Sequence, residues 1–153
     1  MPVGSSVSPT TEAASQAPAT PTPDRTGATA FAGHFYRVFD DRLTWDQAKE
    51  RCQQLGGYLA VVTSKSENDF LWSLAKTKPY PMYTTVWLGA TDIDQEGTWK
   101  WLTGEMFTLS EYVGADGGRS ENYLNLRLSS ERWEDYPAAG ETVGQQWYAC
   151  EWN

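Results

Sequence analysis

The sequence predicts an α+β domain, because helix signals lie early in the chain and strand signals lie late. Two early segments combine a side-chain cap with an apolar stripe, which is typical of amphipathic helices. Later segments are short, rich in Val, Tyr and Trp, and separated by turn residues. The most compact apolar run, Val86 to Ala90, has the length and lack of charge of a buried central strand. Within it, Gly89 favours close approach of another segment.

Composition divides the chain into a tail and one domain. Its 153 residues are enough for one ordinary domain and too few for two well-buried cores. Residues 1–32 consist largely of Ala, Pro, Ser, Thr and Gly, which predicts a disordered linker that tethers the domain to another module or anchor. The domain is then expected to span residues 33–153.

The charge balance is acidic, with a formal net charge of -8. This charge disfavours nucleic acid and anionic membrane surfaces as partners, and it is compatible with cation binding or with solubility alone. No segment approaches the roughly 20 apolar residues of a membrane span, and residues 1–10 lack the pattern of a signal peptide. Membrane attachment is therefore expected only through a tether outside this chain.

The first half of the chain predicts a strand, a helix, a short strand and a second helix. Residues 34–39 alternate as a strand, and Thr44 with Gln47 forms a capping-box signature for the first helix. Residues 58–62 predict a short strand, and Ser64 with Glu67 begins the second helix, which extends to about residue 76. The buried faces are predicted to hold Trp45, Ala48, Cys52 and Leu55 in the first helix and Phe70, Leu71, Leu74 and Ala75 in the second.

The second half predicts strands around a long loop. After the central strand, residues 91–97 favour a turn and residues 98–101 alternate as a strand. Residues 107–120 show little regular pattern, and irregular loops of this length are usually functional or disordered. Three further strands are predicted at residues 123–128, 132–135 and 146–152.

Four motifs in order resemble those of the C-type lectin-like domain family, over about residues 33–153. They are Trp87-Leu88-Gly89-Ala90, Gly97-Thr98-Trp99-Lys100-Trp101, Trp133-Glu134-Asp135 and Tyr148-Ala149-Cys150-Glu151. The resemblance implies two helices flanking antiparallel sheets, with a long irregular loop region that carries the binding face. It also implies a binding module rather than an enzyme.

Two cysteines, Cys52 and Cys150, are present, and their spacing alone supports one long-range disulfide and two buried thiols equally. The family joins the cysteine of its first helix to that of its last strand, so the resemblance implies a Cys52–Cys150 disulfide and an extracytoplasmic location. The positions of the family's second disulfide fall on Tyr123 and Ala138. A large and a small side chain at this pair of positions are consistent with a folded variant that lacks the second bridge.

Calcium is the cofactor that the resemblance raises. Sugar-binding members hold Ca²⁺ with a Glu-Pro-Asn or Gln-Pro-Asp triplet, a following glutamate, and the Asn and Asp of a Trp-Asn-Asp strand. Here Glu121 and Asp135 match, Glu134 replaces the Asn, and no triplet is found near Asp116. The resemblance thus implies that family-style sugar ligation is lost. Whether Asp116, Glu121, Glu134 and Asp135 form an improvised calcium site or are solvated charges stays open.

The sequence offers little for catalysis and more for recognition. The single histidine, His34, lies at a predicted strand end, so a surface or structural role is favoured over acid-base chemistry. A protein or glycan ligand is expected at the loop face, with a calcium-dependent lectin and a structural or display domain as alternatives. The predicted ligand-binding residues are Tyr112, Asp116, Arg119, Glu121, Glu134 and Asp135. The ligand and the oligomeric state are left open.

Overall fold

A computed structural model of the chain describes residues 4, 22–114, 120–137 and 145–153. The α+β class is confirmed, with two α-helices early in the chain and most strands after them. The elements in chain order are β1 (Thr29–Phe31), β2 (His34–Leu43), α1 (Trp45–Gln54), β3 (Tyr58–Leu59), α2 (Lys65–Ala75), β4 (Thr85–Thr91), β5 (Lys100–Trp101), a 3-10 turn (Ser110–Tyr112), β6 (Tyr123–Arg127), β7 (Trp133–Tyr136) and β8 (Gln146–Trp152).

The strands form one mixed sheet in the order β1-β2-β8-β4-β6-β7, with β3 paired to β8 and β5 paired to β4. All of these pairs are antiparallel except β4 with β8, which is parallel. The expectation of antiparallel sheets was therefore incomplete. A parallel pair needs a long connection, and the chain between β4 and β8 supplies one through β5, β6 and β7.

Both predicted capping boxes are present. In α1 the Gln47 N–H donates to Thr44 Oγ1 at 3.3 Å, and the Thr44 N–H donates to Gln47 Oε1 at 3.1 Å. In α2 the Glu67 N–H donates to Ser64 Oγ at 3.2 Å, and the Ser64 N–H donates to Glu67 Oε2 at 3.1 Å. Each cap satisfies backbone donors that the first turn of a helix leaves unpaired, so both helices begin where the sequence predicted.

Strand β1 lies inside the segment that composition assigned to the linker. It forms a hairpin with β2, in which Phe31 is the register partner of His34 and the turn residues Ala32 and Gly33 have φ values of 50° and 88°. The Phe31 ring stacks on Phe70 of α2, with ring centroids 4.3 Å apart. A three-residue edge strand with one large apolar side chain leaves almost no signal in composition. Strand β1 thus pairs with β2 although it precedes residue 33, where composition placed the start of the domain.

The core lies on the two faces of the sheet, and α1 covers one of them. On that face, the Cys52–Cys150 disulfide joins α1 to β8, with an S–S distance of 1.98 Å and both residues fully buried. The disulfide that the family resemblance implied is confirmed. Tyr123, at one position of the absent second bridge, packs its ring against Trp45 at 4.5 Å between centroids. Ala138, at the other position, lies outside the described residues.

A buried carboxylate ties β8 to the start of the domain. Glu151 is only 2% exposed, and it accepts hydrogen bonds from the Val61 N–H at 2.8 Å and the Tyr58 hydroxyl at 3.0 Å. His34 Nδ1 lies 2.6 Å from Glu151 Oε1. Burial raises the pKa of the Glu151 carboxyl, although these hydrogen bonds oppose the shift. His34, the only histidine, thus contacts a structural carboxylate at the strand end.

Candidate functional site

Strand β4 positions the long loop because its centre is packed against a neighbouring backbone. Gly89 has no side chain, and a Cβ added there would overlap the carbonyl oxygen of Leu59. The Gly89 N–H donates to Ala60 O at 2.8 Å, and Gly89 O accepts from the Leu102 N–H at 2.8 Å. The close approach predicted from Gly89 is therefore present, and the backbone of this residue is hydrogen-bonded both to Ala60, after β3, and to Leu102, after β5.

The chain leaves β4 through a tight acidic turn. Asp92 is buried, and its Oδ2 accepts a hydrogen bond from the Gly97 N–H at 2.9 Å, while its carbonyl oxygen accepts from the Gln95 N–H at 3.0 Å. Asp94 is exposed and forms an ion pair with Lys100 at 3.3 Å. These contacts match the turn predicted for residues 91–97, and after the turn the chain pairs with β4 as β5.

Beneath the loop lies an aromatic cluster centred on Trp133. The rings of Trp101, Phe107 and Tyr112 have centroids 5.7, 5.7 and 5.5 Å from that of Trp133. The indole Nε1 of Trp133 donates to Asn68 Oδ1 at 2.8 Å, which fixes the central ring from the side of α2. The sequence showed these residues only as scattered aromatics in separate elements, so no local pattern could have predicted that they meet.

The end of the irregular segment is attached to the same tryptophan. The Gly114 N–H donates to Trp133 O at 2.8 Å, and Val113 forms a parallel β-bridge with Trp133. A cavity of about 230 Å³, which we call the loop cavity, opens beside this junction. Its described lining residues are Gly97, Trp99, Ser110, Val113, Gly114 and Asp135.

Of the predicted site residues, Asp135 lies in this cavity and is 5% exposed. Tyr112 is half-buried and precedes the lining residue Val113, and Glu121 is half-buried at the far end of the loop, just before β6. The structure therefore brings Tyr112 and Asp135 to the region around the loop cavity. Asp116 and Arg119, predicted from the same loop, lie outside the described residues.

Glu134 lies apart from Asp135, although the two are neighbours in sequence. Successive side chains of a strand point to opposite faces, and Glu134 is the register partner of Asn125 whereas Asp135 is that of Leu124. Glu134 Oε1 accepts from the Arg127 guanidinium at 2.7 Å, and this contact raises the pKa of Arg127. The carboxylate is thus held by an ion pair on the face opposite the loop cavity.

The described residues fit a calcium site poorly. Ca²⁺ needs about six to eight oxygen ligands that converge on one point. The Glu134 carboxylate is paired with the Arg127 guanidinium at 2.7 Å, so in this structure it is not turned toward Asp135. Among residues 22–114, 120–137 and 145–153, no group of three or more His, Cys, Asp or Glu side chains is arranged to hold a metal.

Tyr112 lines a second cavity, of about 350 Å³. Lys65, Glu111, Ser130, Glu131 and Arg132 complete its described lining. The Arg132 guanidinium donates to Glu111 O at 3.3 Å, and burial together with a hydrogen bond to Asp69 raises the pKa of Glu131. Tyr112 therefore lines this second cavity while its ring packs near Trp133, with centroids 5.5 Å apart.

The fold agrees with the comparison to known families. The family model of the lectin C-type domain matches residues 41–142. The chain belongs to the C-type lectin family. It carries the family's helix-to-last-strand disulfide, and the loop cavity lies beside its Trp133-Glu134-Asp135 strand.

Relatives of known sequence are diverse. Halomucin of Haloquadratum walsbyi is 32% identical over 142 residues, a match that covers 82% of this chain and 2% of halomucin. Lithostathine-2 of Mus musculus is 30% identical over 114 residues, covering 71% of this chain and 65% of that protein. The chain thus spans less than two thirds of the length of these two relatives.

Solved structures show the same fold. Human lithostathine superposes with a TM-score of 0.70 at 25% identity, covering 83% of this chain and 88% of that one. The Ca²⁺-free form of a Ca²⁺-dependent type II antifreeze protein superposes with a TM-score of 0.69 at 22% identity, covering 84% and 98%, and this likeness concerns the fold alone. Family membership supports a non-enzymatic, ligand-binding lectin-like module.

Proposed function

We propose that this domain recognises a protein or glycan ligand through its long-loop face, without calcium-mediated sugar ligation of the family pattern. The observation that carries the proposal is the loop cavity, which combines a buried carboxylate, Asp135, with the wall of Trp99 beside the aromatic cluster. Concave sites with apolar walls and a few fixed polar groups are typical of ligand binding.

The aromatic cluster supports the proposal because it makes the face rigid. Trp133 is fully buried and is held by rings on three sides and by its hydrogen bond to Asn68. Tyr112, at the edge of the cluster, keeps part of its ring accessible. A rigid aromatic edge gives contact area at a low entropic cost. In our proposal, Glu121, Asp116 and Arg119 add polar contacts around it.

The distribution of carboxylates argues against the family's calcium ligation. Glu134 stands where the family strand has an asparagine. Its carboxylate forms an ion pair with Arg127 and does not face Asp135. The proline-containing triplet is also absent from the sequence. A calcium-dependent lectin with a modified site would have to use Asp116, Glu121 and Asp135 together. That alternative predicts a calcium-induced rise in melting temperature and chelator-sensitive retention on sugar beads.

The proposal is tested by a screen of glycans and cell-surface proteins, run with calcium and again with chelator. For a ligand that binds, Tyr112→Ala should lower the affinity about tenfold or more. Aromatic side chains are often binding hot spots, and truncating one usually removes much of the binding free energy. Tyr112→Phe should retain most of the affinity. Glu121→Gln is compared with Glu50→Gln, which removes one negative charge from the exposed surface of α1.

The alternatives give different results in the same experiment. A purely structural or display domain predicts that Tyr112→Ala and Glu121→Ala leave every partner interaction of the full-length protein intact, and that result would refute the proposal. Equal loss in Glu121→Gln and Glu50→Gln would show that net charge, rather than the loop face, controls binding. Circular dichroism and melting temperature verify that each variant is folded.

We infer an extracytoplasmic location. The support is the buried disulfide, since such bonds persist mainly in oxidising compartments. Neither helix in the described part of the chain is long and apolar enough to cross a membrane. The segment before β1 retains the composition of a tether, which in this proposal connects the binding domain to another module or to an anchor.

A further inference from the structure

Two carboxyl groups meet where the turn between β6 and β7 packs against α2. Asp69 lies in α2, and Glu131 lies in the turn, two residues before β7. Their side chains are within hydrogen-bonding reach of each other, and we call these two residues the acid pair. Glu131 also lines the second cavity together with Tyr112. The described lining of the loop cavity contains neither member of the acid pair.

Asp69 has one oxygen with a partner and one without. Its Oδ2 accepts from Lys65 Nζ at 2.6 Å, one turn earlier in α2. Its Oδ1 is buried, and within the described part of the chain it has no hydrogen-bond partner. An unpaired buried acceptor costs free energy, and an ionised carboxylate can only accept. The neighbouring carboxyl group of Glu131 can therefore pair with Oδ1 only if it carries a proton.

The backbone of Glu131 is held in an unusual conformation. Its φ is 59°, in the left-handed region that a residue of this type seldom adopts. The Glu131 N–H donates to Arg127 O at 3.0 Å, which closes the turn. The Trp72 indole of α2 donates to Leu128 O at 3.0 Å and fastens the start of the turn to the helix. Such a backbone persists only where its surroundings hold it, and the acid pair supplies a contact at Glu131 itself.

The electrostatic surroundings act on the two carboxyl groups in opposite directions. Burial raises the pKa of Glu131, and the contact with Asp69 raises it further, whereas the charges of Lys65 and Lys76 oppose the shift. The pKa of Asp69 is lowered, first by Lys65 and then by Glu131. A proton between them therefore belongs on Glu131. The charged and titratable groups around Glu131 are Lys65, Asp69 and Lys76 of α2, Glu111 and Tyr112 of the 3-10 turn, and Arg132 of its own turn.

Asn68 connects the acid pair to the aromatic cluster. Its Nδ2 lies 3.5 Å from Glu131 Oε1, and its Oδ1 accepts from the Trp133 indole at 2.8 Å. A change in the charge of Glu131 therefore acts on the residue that fixes the central ring of the cluster.

We infer that Asp69 and Glu131 share one proton, and that this proton is a pH-sensitive fastening between α2 and the β6–β7 turn. With the proton in place, Glu131 donates to Asp69 Oδ1 and satisfies the buried oxygen. As the pH rises, Glu131 loses the proton and two negative charges face each other. The turn then loses a contact with α2, and the second cavity, which Glu131 lines, loosens beside Tyr112.

The direction of the pH dependence follows from the two shifts. The pKa of Glu131 is raised in the folded protein, so its contribution to stability is complete below the ordinary value of 4.5 and is lost as the pH rises through the folded value. The pKa of Asp69 is lowered, so its contribution is complete above the ordinary value of 3.8 and is lost as the pH falls through the folded value. Both contributions are present between these two ordinary values, and the fastening weakens toward neutral pH.

The shared proton is tested by ¹³C NMR of the Glu131 side-chain carboxyl group in the full chain, from about pH 3 to about pH 8. The titration midpoint of Glu131 should lie above 4.5, and the indole N–H signal of Trp133 should move with the same midpoint. Asp69→Asn removes the partner charge and should lower the Glu131 midpoint. Glu111→Gln removes one negative charge from the same cavity and should change the midpoint much less.

Glu131→Gln provides a second test, because its amide carries a permanent donor and no charge. Relative to the wild-type protein, its melting temperature should be nearly unchanged at pH 4.5 and higher by about 2 °C or more at neutral pH. Glu111→Gln is again the matched control, and its difference from the wild-type protein should not follow the Glu131 titration. Circular dichroism verifies that each variant is folded.

A Glu131 midpoint at or below 4.5, or one that Asp69→Asn leaves unchanged, would overturn the shared proton. Equal changes in Asp69→Asn and Glu111→Gln would overturn it as well, because the net charge of the cavity would then be the cause. A Glu131→Gln difference that is the same at both pH values would refute the fastening, and a Trp133 signal that ignores the titration would refute the connection through Asn68. None of these measurements uses a ligand, so the inference stands or falls independently of the proposed function.

Discussion

At the scale of single residues, Gly89 shows how one missing side chain organises the centre of the domain. It allows β4 to pass the Leu59 carbonyl group, and its own N–H and C=O bind Ala60 and Leu102. The family motif therefore has a steric meaning in this chain. A larger residue would have to separate β4 from the segment after β3, because the obstructing atom belongs to the backbone and not to a flexible side chain.

We expect Gly89→Ala to destabilise the domain by about 3 kcal/mol, since overpacking against a backbone atom is expensive. The measurement is the free energy of unfolding in urea. Gly114→Ala is the matched control, because among the described residues a Cβ there meets only Trp133 O, at 3.4 Å, and should cost much less. Equal losses in the two variants would contradict the steric interpretation of Gly89.

At the scale of elements, the two capping boxes determine where the helices begin. In α2 the capping box has a second role, which belongs to its glutamate. Glu67 Oε2 accepts not only from the Ser64 N–H but also from the Thr63 N–H, at 2.7 Å. The cap thereby fixes the direction in which the chain enters the helix that carries Asn68. Asn68 accepts a hydrogen bond from the Trp133 indole, so the first turn of α2 is connected to the aromatic cluster beneath the loop.

Ser64→Ala should lower the free energy of unfolding by about 1 kcal/mol, the usual cost of losing an N-cap oxygen. The comparison is Ser73→Ala, at an exposed position in the last turn of the same helix, where alanine is the better helix former. Chemical denaturation of both variants provides the measurement. A loss in Ser73→Ala as large as that in Ser64→Ala would rule out the capping explanation.

At the scale of the whole molecule, one covalent bond joins distant parts of the chain. Cys52 and Cys150 are 98 positions apart, and their disulfide fastens α1 to β8, the strand that lies between β2 and β4. In the chain-entropy model, closing a loop of about 100 residues stabilises the folded state by about 4.7 kcal/mol. The sequence contains two cysteines, so this is the one disulfide that the chain itself can form, and the domain depends strongly on it.

The double variant Cys52→Ala with Cys150→Ala should lose about 2–5 kcal/mol of unfolding free energy. Calorimetry of the variant and of the wild-type protein measures the loss, and reduction of the wild-type protein with dithiothreitol should reproduce most of it. Non-reducing peptide mapping should yield one peptide pair linked through these cysteines. An unchanged melting temperature in the double variant would contradict the dependence on this bond.

The sequence by itself determined the features that depend on neighbouring residues. Both helix starts, the turn after β4 and the strand at residues 146–152 were predicted, because caps, turn residues and apolar runs act over a few positions. The disulfide required the family resemblance as well, since spacing alone left it undecided. Strand β1 was missed because it is short and is stabilised by a ring contact with α2.

Only the tertiary structure decided what the site contains. Trp133, Phe107 and Tyr112 come from separate elements, and their meeting depends on how those elements pack. The separation of Glu134 from Asp135 follows strand alternation, but the ion pair that holds Glu134 is made across the sheet. Long-range contacts of this kind leave no local pattern, which is why the sequence could identify the fold but not the chemistry of its cavities.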